Sequence, residues 1–266
     1  MYPILFEVFG RHVSTYGLLI VLGAVAAWFV IKALDKSKDK NISLVFLICI
    51  CGGLIGAFLL RPITRIPEII IHWEHFRQMP ARVALSFIFG EIVFYGGLIG
   101  GVTAMLIFCK SYKIRILPIA DLFAPALAVA HGFGRIGCFF GGCCYGIQVH
   151  PSHPVAVIFP AGAVSTPTSI PSGIPLLATQ LIEAVSLFLI ATVLIIIYKK
   201  TAGTGLTVCI YGILYSILRF ILEFYRSDGV RGVYGVFSVS QYISMVLFVV
   251  CVGMVILILK RTDTLK

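Results

Sequence analysis

The chain has 266 residues, 59% of them apolar and only 12% charged, with a formal net charge of +10 and a mean hydropathy of +1.04. Soluble domains are nearer half apolar and a quarter charged, so a soluble globular fold and a disordered chain are both excluded. The apolar runs are continuous rather than ~10-residue alternating segments, which excludes a β-barrel and leaves an all-α polytopic membrane protein.

The opening MYPILFEVFG has no basic stretch and no small-residue cleavage site, so no cleaved leader is expected. Apolar periods long enough to span, at ~20 residues each, fall at 14–33, 43–61, 90–109, 118–138, 178–198, 206–225 and 238–259. They predict seven transmembrane helices in one domain, 1–266. Tyr16 opens the first. Residues 62–88 contain IPEIIIHWEHFRQMP, which reads as an amphipathic interfacial arm with Trp73 and Phe76. The pentapeptide GGLIG occurs at 52–56 and again at 96–100. Small residues four apart let helix backbones approach closely. The second copy follows Tyr95, so Gly96 and Gly97 also leave room for a lipid headgroup.

The fourth span carries Asp121, Pro125, His131 and Arg135. Ionisable groups at membrane depth are costly and face a bundle interior or a wet cavity. Residues 139–177 are rich in Gly, Pro and Ser, with a strand-like run at 154–160, and predict a small extracytoplasmic cap. The fifth span opens with Gln180 and Glu183. The sixth closes with Arg219, Glu223, Arg226 and Asp228.

Orientation follows from lysine. Lys32, Lys36, Lys38, Lys40, Lys110, Lys113, Lys199, Lys200, Lys260 and Lys266 all fall on one side of a seven-span chain. That side is cytoplasmic by the positive-inside rule, which puts the N-terminus out and the C-terminus in. The other side holds arginine and no lysine. Guanidinium recognises phosphate with two parallel hydrogen bonds and lysine does not, a reading applied to Arg135 and Arg226. Arg11, Arg61, Arg65, Arg77 and Arg82 read as interfacial snorkelling side chains.

The densest run of chemistry is His131 to Gly146, HGFGRIGCFFGGCCYG. His131 and Arg135 share a helix face if the helix continues, and Arg219 and Glu223 are spaced to pair. Arg226 lies a turn further out, open to an anion. Cys49, Cys51, Cys109, Cys209 and Cys251 sit in or beside apolar runs, where cysteine behaves as a small hydrophobe. Cys138, Cys143 and Cys144 stand apart. Their Cys-x4-Cys-Cys spacing is not a recognised zinc pattern and lacks a clear fourth ligand. Packing, a disulfide from Cys138 to Cys143 or Cys144, and thiol chemistry all stay open. There is no nucleotide phosphate loop, and nothing points to nucleic acid.

At these residues the chain resembles the prolipoprotein diacylglyceryl transferase family, over nearly its whole length. MYPILFEVFGRHVSTYGLL, including Tyr16, is similar to the family's opening. YGGLIGG at 95–101 resembles its His-Gly-Gly-Leu segment, and DLFAPALAVAHGFGRIGCF followed by Gly146 resembles its signature. ATQLIEA, RFILEFYRSD and SVSQYISM are similar to the fifth, sixth and last spans. The chain departs from the pattern at Tyr95, where the family has histidine. It departs again at Cys138 and Gly141, in place of asparagines, and at Cys143, in place of glutamate.

The resemblance implies transfer of a diacylglyceryl group from phosphatidylglycerol to the lipobox cysteine thiol of preprolipoproteins, at the outward face of the bacterial cytoplasmic (inner) membrane. Glycerol phosphate leaves and a thioether forms. Arg135 and Arg226 suit the departing phosphate. His131 and Tyr95 are the groups available to take the thiol proton, and imidazole, with an ordinary pKa near 6.5, is the better base at neutral pH. Tyr16, Gly96, Gly97, Gly146, Gln180, Glu183, Arg219 and Glu223, with Arg135, complete the expected substrate-binding set. No metal or organic cofactor is implied. The expected partners are phosphatidylglycerol, lipobox-containing preprolipoproteins and membrane lipid. The departures keep three alternatives open: a paralogue with another acceptor, a non-catalytic lipid-binding protein, and a thiol-redox membrane protein.

Overall fold

The computed structural model describes residues 4–8, 11–36, 40–89, 93–160, 173–227 and 232–263. Lys38, Asp228, Arg231, Lys266 and residues 161–172 of the expected cap lie outside them. The chain opens with β1 (Ile4–Val8) and β2 (Arg11–Ser14), then α1 (Thr15–Leu34), α2 (Lys40–Ile71), α3 (Trp73–Gln78) and α4 (Ala81–Phe89). It continues with α5 (Phe94–Ser111), α6 (Ile116–Gly141), β3 (Ala156–Ile158), β4 (Pro175–Leu177) and α7 (Thr179–Thr201). The last elements are α8 (Leu206–Glu223), β5 (Val233–Tyr234), β6 (Phe237–Ser238) and α9 (Val239–Asp263). Contacts group these into two compact units, residues 37–116 and the remainder of the chain.

Among the described residues, six helices, α1, α2 and α6 to α9, are long and apolar enough to cross a membrane. The expected span at 90–109 is α5, whose apolar part, Tyr95–Ser111, is ~26 Å long at ~1.5 Å per residue, against a hydrocarbon core of ~30 Å. Large apolar side chains cover the outside of the long helices: Val246, Val249 and Leu257 of α9 are each about two-thirds exposed. Helices satisfy their own backbone groups, which is the condition for living in lipid.

In the unit of residues 37–116, α2 does not stop at residue 61. It runs through Pro62 and Pro67 to Ile71, so the first part of the expected arm continues the span, and α3 and α4 form the rest. Thr64 Oγ1 donates to the Arg61 carbonyl at 2.8 Å between the two prolines. Arg65 is not a free snorkelling side chain: it pairs with Glu68 and lies over the Phe87 ring, 4.5 Å from its centroid. The repeated GGLIG is a packing seam. A Cβ on Gly56 would strike the Gly96 carbonyl oxygen, and one on Gly100 would strike that of Gly52.

In the larger unit, Ala128 of α6 packs with Ala191 and Leu194 of α7, and Gly132 leaves 2.7 Å between its Cβ position and Phe188. Asp121, fully buried, caps the N-terminus of α8. It accepts from Gly205 N–H at 2.8 Å and Val208 N–H at 3.0 Å, placing negative charge on the positive end of the helix dipole. The start of α9 is a capping box: Ser238 N–H donates to Gln241 Oε1 at 2.9 Å and Gln241 N–H to Ser238 Oγ at 3.3 Å. The strand-like run at 154–160 supplies β3, antiparallel to β4, over a small core of Tyr145, Phe159 and Leu176.

Candidate active site

Helix α6 continues unbroken to Gly141, so His131 and Arg135 do share a face. Arg135 Nη2 meets Glu183 Oε1, from the first turns of α7, at 3.1 Å. Tyr215 O–H donates to the same oxygen at 3.5 Å. Tyr211, Tyr215, Arg219 and Glu223 recur every four residues and make a polar stripe along α8. Arg219 Nη2 pairs with Glu223 Oε2 at 2.8 Å, as the spacing predicts, and reaches Ser240 Oγ at 3.3 Å. Arg226 is not left to an anion alone. Its Nη1 stands 3.9 Å from the Glu223 oxygen that already serves Arg219. All five side chains are nearly buried. Taking such ions out of water costs several kcal/mol each, so the pairing is what holds them there.

The chain leaving α6 is clamped to the same end of this unit. Gly146 forms a β-bridge with Arg226, and its N–H donates to the Leu177 carbonyl at 2.9 Å. A Cβ on Gly146 would come within 2.8 Å of Leu177 O, Thr179 Cγ2 and Tyr225 O together, so only glycine fits. Thr179 Oγ1 donates to Cys144 O at 2.8 Å, and Gln180 Nε2 to Cys143 O at 2.6 Å. Gln180 Oε1 is buried and has no hydrogen-bond partner among the described residues. The Tyr16 ring lies on Gly137, where a Cβ would meet it at 2.9 Å.

These carbonyl clamps shape a turn that gathers three thiols. The Sγ atoms of Cys138, Cys143 and Cys144 lie within 4.8 Å of one another, and all three are free and partly exposed. Cys143 Sγ donates to Cys138 O at 3.7 Å. Cys144 has φ +62°, a left-handed conformation that costs a non-glycine residue about 1–2 kcal/mol. Hydrogen bonds with Cys138 and Cys143, then the charges of Arg226 and Arg135, hold the Cys144 thiol well below its ordinary value. The Cys143 thiol is pushed up by its bonds to the other two. Among the described residues, this cluster is the set of side chains that offers metal-ligand spacing.

His131 is 8% exposed. Its Nδ1 lies 3.4 Å from Tyr211 O–H, and its ring packs on Tyr215, centroid to centroid 4.9 Å. Tyr95, Gly96 and Gly97 belong to the other unit, where the two glycines line the helix seam and Tyr95 is exposed. Tyr211 and Tyr215 have no place in the sequence reading, and Ser238, Ser240 and Gln241 enter it only within SVSQYISM, with no site role. Their signals were the four-residue stripe ending in Arg219 and Glu223, and the Ser-x-x-Gln capping pattern.

The family model for prolipoprotein diacylglyceryl transferase matches residues 3–257. The chain belongs to this family. It is 35% identical over 264 residues to the phosphatidylglycerol-prolipoprotein diacylglyceryl transferase of Clostridium tetani, covering 98% of each chain. It is 34% identical to phosphatidylglycerol-prolipoprotein diacylglyceryl transferase 2 of Clostridium perfringens, covering 92% of this chain and 91% of that one. The transferase of Staphylococcus saprophyticus is 29% identical, with 97% and 89% covered. Family membership and six apolar helices make this a multi-pass bacterial membrane protein.

Proposed function

We propose that the chain is a transferase that moves a diacylglyceryl group from phosphatidylglycerol to the lipobox cysteine thiol of preprolipoproteins, in lipoprotein maturation. The observation that carries this reading is the pairing of a family match over 3–257 with arginines fixed in the interior by carboxylates, Arg135 by Glu183 and Arg226 beside Glu223. The reaction breaks the bond between a glycerol carbon and the phosphate oxygen, so negative charge grows on the leaving glycerol phosphate. Fixed guanidinium groups that need no reorganisation stabilise that charge. Arg135 and Arg226 have this role. Glu183 and Glu223 hold them in place, and Arg219 tethers Glu223 to Ser240 by its own contacts. Gly146, Gln180 and Tyr16 shape the walls around them.

His131, enclosed by Tyr211 and Tyr215, positions the α8 stripe. Gly96 and Gly97 are assigned to substrate on the family pattern, and Tyr95, which stands where the family has histidine, is with His131 a group available to take the thiol proton. Seven helices cross the cytoplasmic (inner) membrane in this reading, α5 included, with the cap and active site outward and all lysines inward. The segregation of lysine supports that orientation. The whole chain acts as one transferase domain.

The test is purified protein in nanodiscs with phosphatidylglycerol and a lipobox peptide. Glycerol phosphate should appear in step with thioether on the peptide. Lipid turnover without peptide modification points to another acceptor. Folded protein that does neither favours the non-catalytic lipid-binding reading. Reporter fusions after Lys200 and Lys266 should read cytoplasmic, and one within 150–160 external. A cytoplasmic signal from the last overturns the orientation.

A further inference from the structure

The transferase reading gives the three-thiol cluster no role, although side chains of α7 hold two carbonyls of its turn. Its neighbours in composition make the contrast. Cys109, Cys209 and Cys251 are buried within helices, and Cys251 Sγ fills the space left by Gly212. Those are packing thiols. Cys138, Cys143 and Cys144 instead sit partly exposed at a helix end. Two of the three lie on a turn whose carbonyls are clamped by Thr179 and Gln180, with Cys144 held in a left-handed conformation. Those bonds fix the backbone of the turn, and strained backbone clusters at functional sites.

We propose that Cys138, Cys143 and Cys144 form a three-thiolate zinc site whose open fourth position takes the acceptor thiol. The inference rests on the transferase reading and gives it a way to remove the acceptor's proton that needs no protein base. Zinc with thiolate at about 2.3 Å in tetrahedral array sets sulfurs ~3.8 Å apart. Sulfurs within 4.8 Å close on an ion with shifts of only ~0.6 Å each. Structural zinc sites fill all four positions with protein ligands, whereas catalytic ones keep three and leave one open. Among the described residues the three thiols have no fourth protein ligand, which matches the catalytic kind.

The step balances as follows. The incoming thiol coordinates zinc and loses its proton to solvent, because a thiol on a bound dication is deprotonated outright. The zinc-bound sulfur donates an electron pair to the glycerol carbon that bears the phosphate ester. The carbon–oxygen bond breaks, and its pair leaves on glycerol phosphate against Arg135 and Arg226. The product thioether is neutral and leaves the metal. Nothing is oxidised or reduced, and zinc is regenerated with its three thiolates.

Full-length protein in nanodiscs, reduced and stripped with a chelator, is titrated with cobalt(II). One equivalent should produce sulfur-to-cobalt charge-transfer absorption and the visible bands of a tetrahedral site. A lipobox cysteine peptide should shift those bands, and the same peptide with serine should not. Cys138→Ser, Cys143→Ser and Cys144→Ser should each weaken cobalt binding at least tenfold, while Cys51→Ser leaves it intact. Chelation should lower transfer at least tenfold, and zinc should restore it. Absence of the charge-transfer band in wild-type protein overturns the site, with no dependence on whether any variant folds. A band that the cysteine peptide leaves unmoved overturns the open position. Untreated protein that transfers, and still transfers at full rate when stripped, overturns the inference and leaves the transferase reading standing. Protein that binds cobalt but never transfers overturns that reading and the thiol-activating role with it.

Discussion

Two sets of packed helices in this chain are held by opposite means. α2 and α5 meet through Gly52, Gly56, Gly96 and Gly100, backbone against backbone. α6, α7 and α8 meet around Arg135, Glu183, Arg219 and Glu223. In lipid there is no hydrophobic force between helices, so close backbone approach and its dispersion energy suffice for association. The glycine seam shows that this chain has that solution at hand. The charged interior carries a desolvation penalty the seam avoids, and the proposed phosphate role of Arg135 and Arg226 accounts for that cost.

The largest effect should come from unbalancing the charges. Glu183→Gln leaves Arg135 buried without its carboxylate, and removing one partner of a buried pair costs roughly 3–5 kcal/mol. Denaturant unfolding in detergent should read that loss, and unchanged stability would mean that Arg135 finds another counter-charge. Gly56→Leu should cost about 3 kcal/mol, near the top of the overpacking range, because the atom it strikes is a carbonyl oxygen that cannot rotate away. A variant as stable as wild type would show that the seam opens without penalty, and the comparison would fail on that side.

Arg135→Lys separates charge from shape. It keeps the positive charge and loses the planar fork. Transfer should fall at least tenfold, about 1.4 kcal/mol in barrier, with Arg226→Lys behaving alike. A rate within twofold of wild type would reduce Arg135 to a generic cation. Asp121→Ala lies on the other side of the divide, a buried charge with a structural duty. Loss of a helix cap costs about 1 kcal/mol, so thermal stability should drop by a few degrees while rate per folded molecule stays constant. A matching fall in rate would place Asp121 in the chemistry.

The same comparison explains what could be read in the sequence. The glycine seam was legible because spacing alone defines it. The pair Arg219 and Glu223 was legible for the same reason. Long-range partners were not: nothing in the sequence joins Glu183 to Arg135 or Gln180 to the Cys143 carbonyl, since each link spans helices. The continuation of α2 through Pro62 and Pro67 was hidden because proline normally ends a helix, and the membrane setting tolerates it where other groups satisfy the backbone. Cys138 and Cys143–Cys144 read as an unrecognised spacing, because a turn with φ +62° at Cys144 brings together sulfurs that a regular helix would separate.

The smallest expected effect is also the one that decides between two ways of activating the acceptor. His131→Gln keeps a side chain of similar reach for the Tyr211 hydroxyl, 3.4 Å from Nδ1, but glutamine cannot take a proton at neutral pH. If zinc removes the acceptor's proton by coordination, the step is complete before any base is needed. The variant should then keep its rate within about threefold, ~0.65 kcal/mol, with a flat profile from pH 7 to 9. If His131 were the base, the variant's rate would fall at pH 7. It would climb toward the ordinary thiol pKa of about 8.5, as more acceptor ionises unaided. The wild-type profile over the same range supplies the control, and the ratio of the two curves isolates the histidine from any pH dependence of the peptide. A ratio that rises with pH returns His131 to the proton transfer and takes that duty from the metal. A level ratio leaves it as the residue that holds Tyr211 and Tyr215 in register beside Arg135 and Glu183.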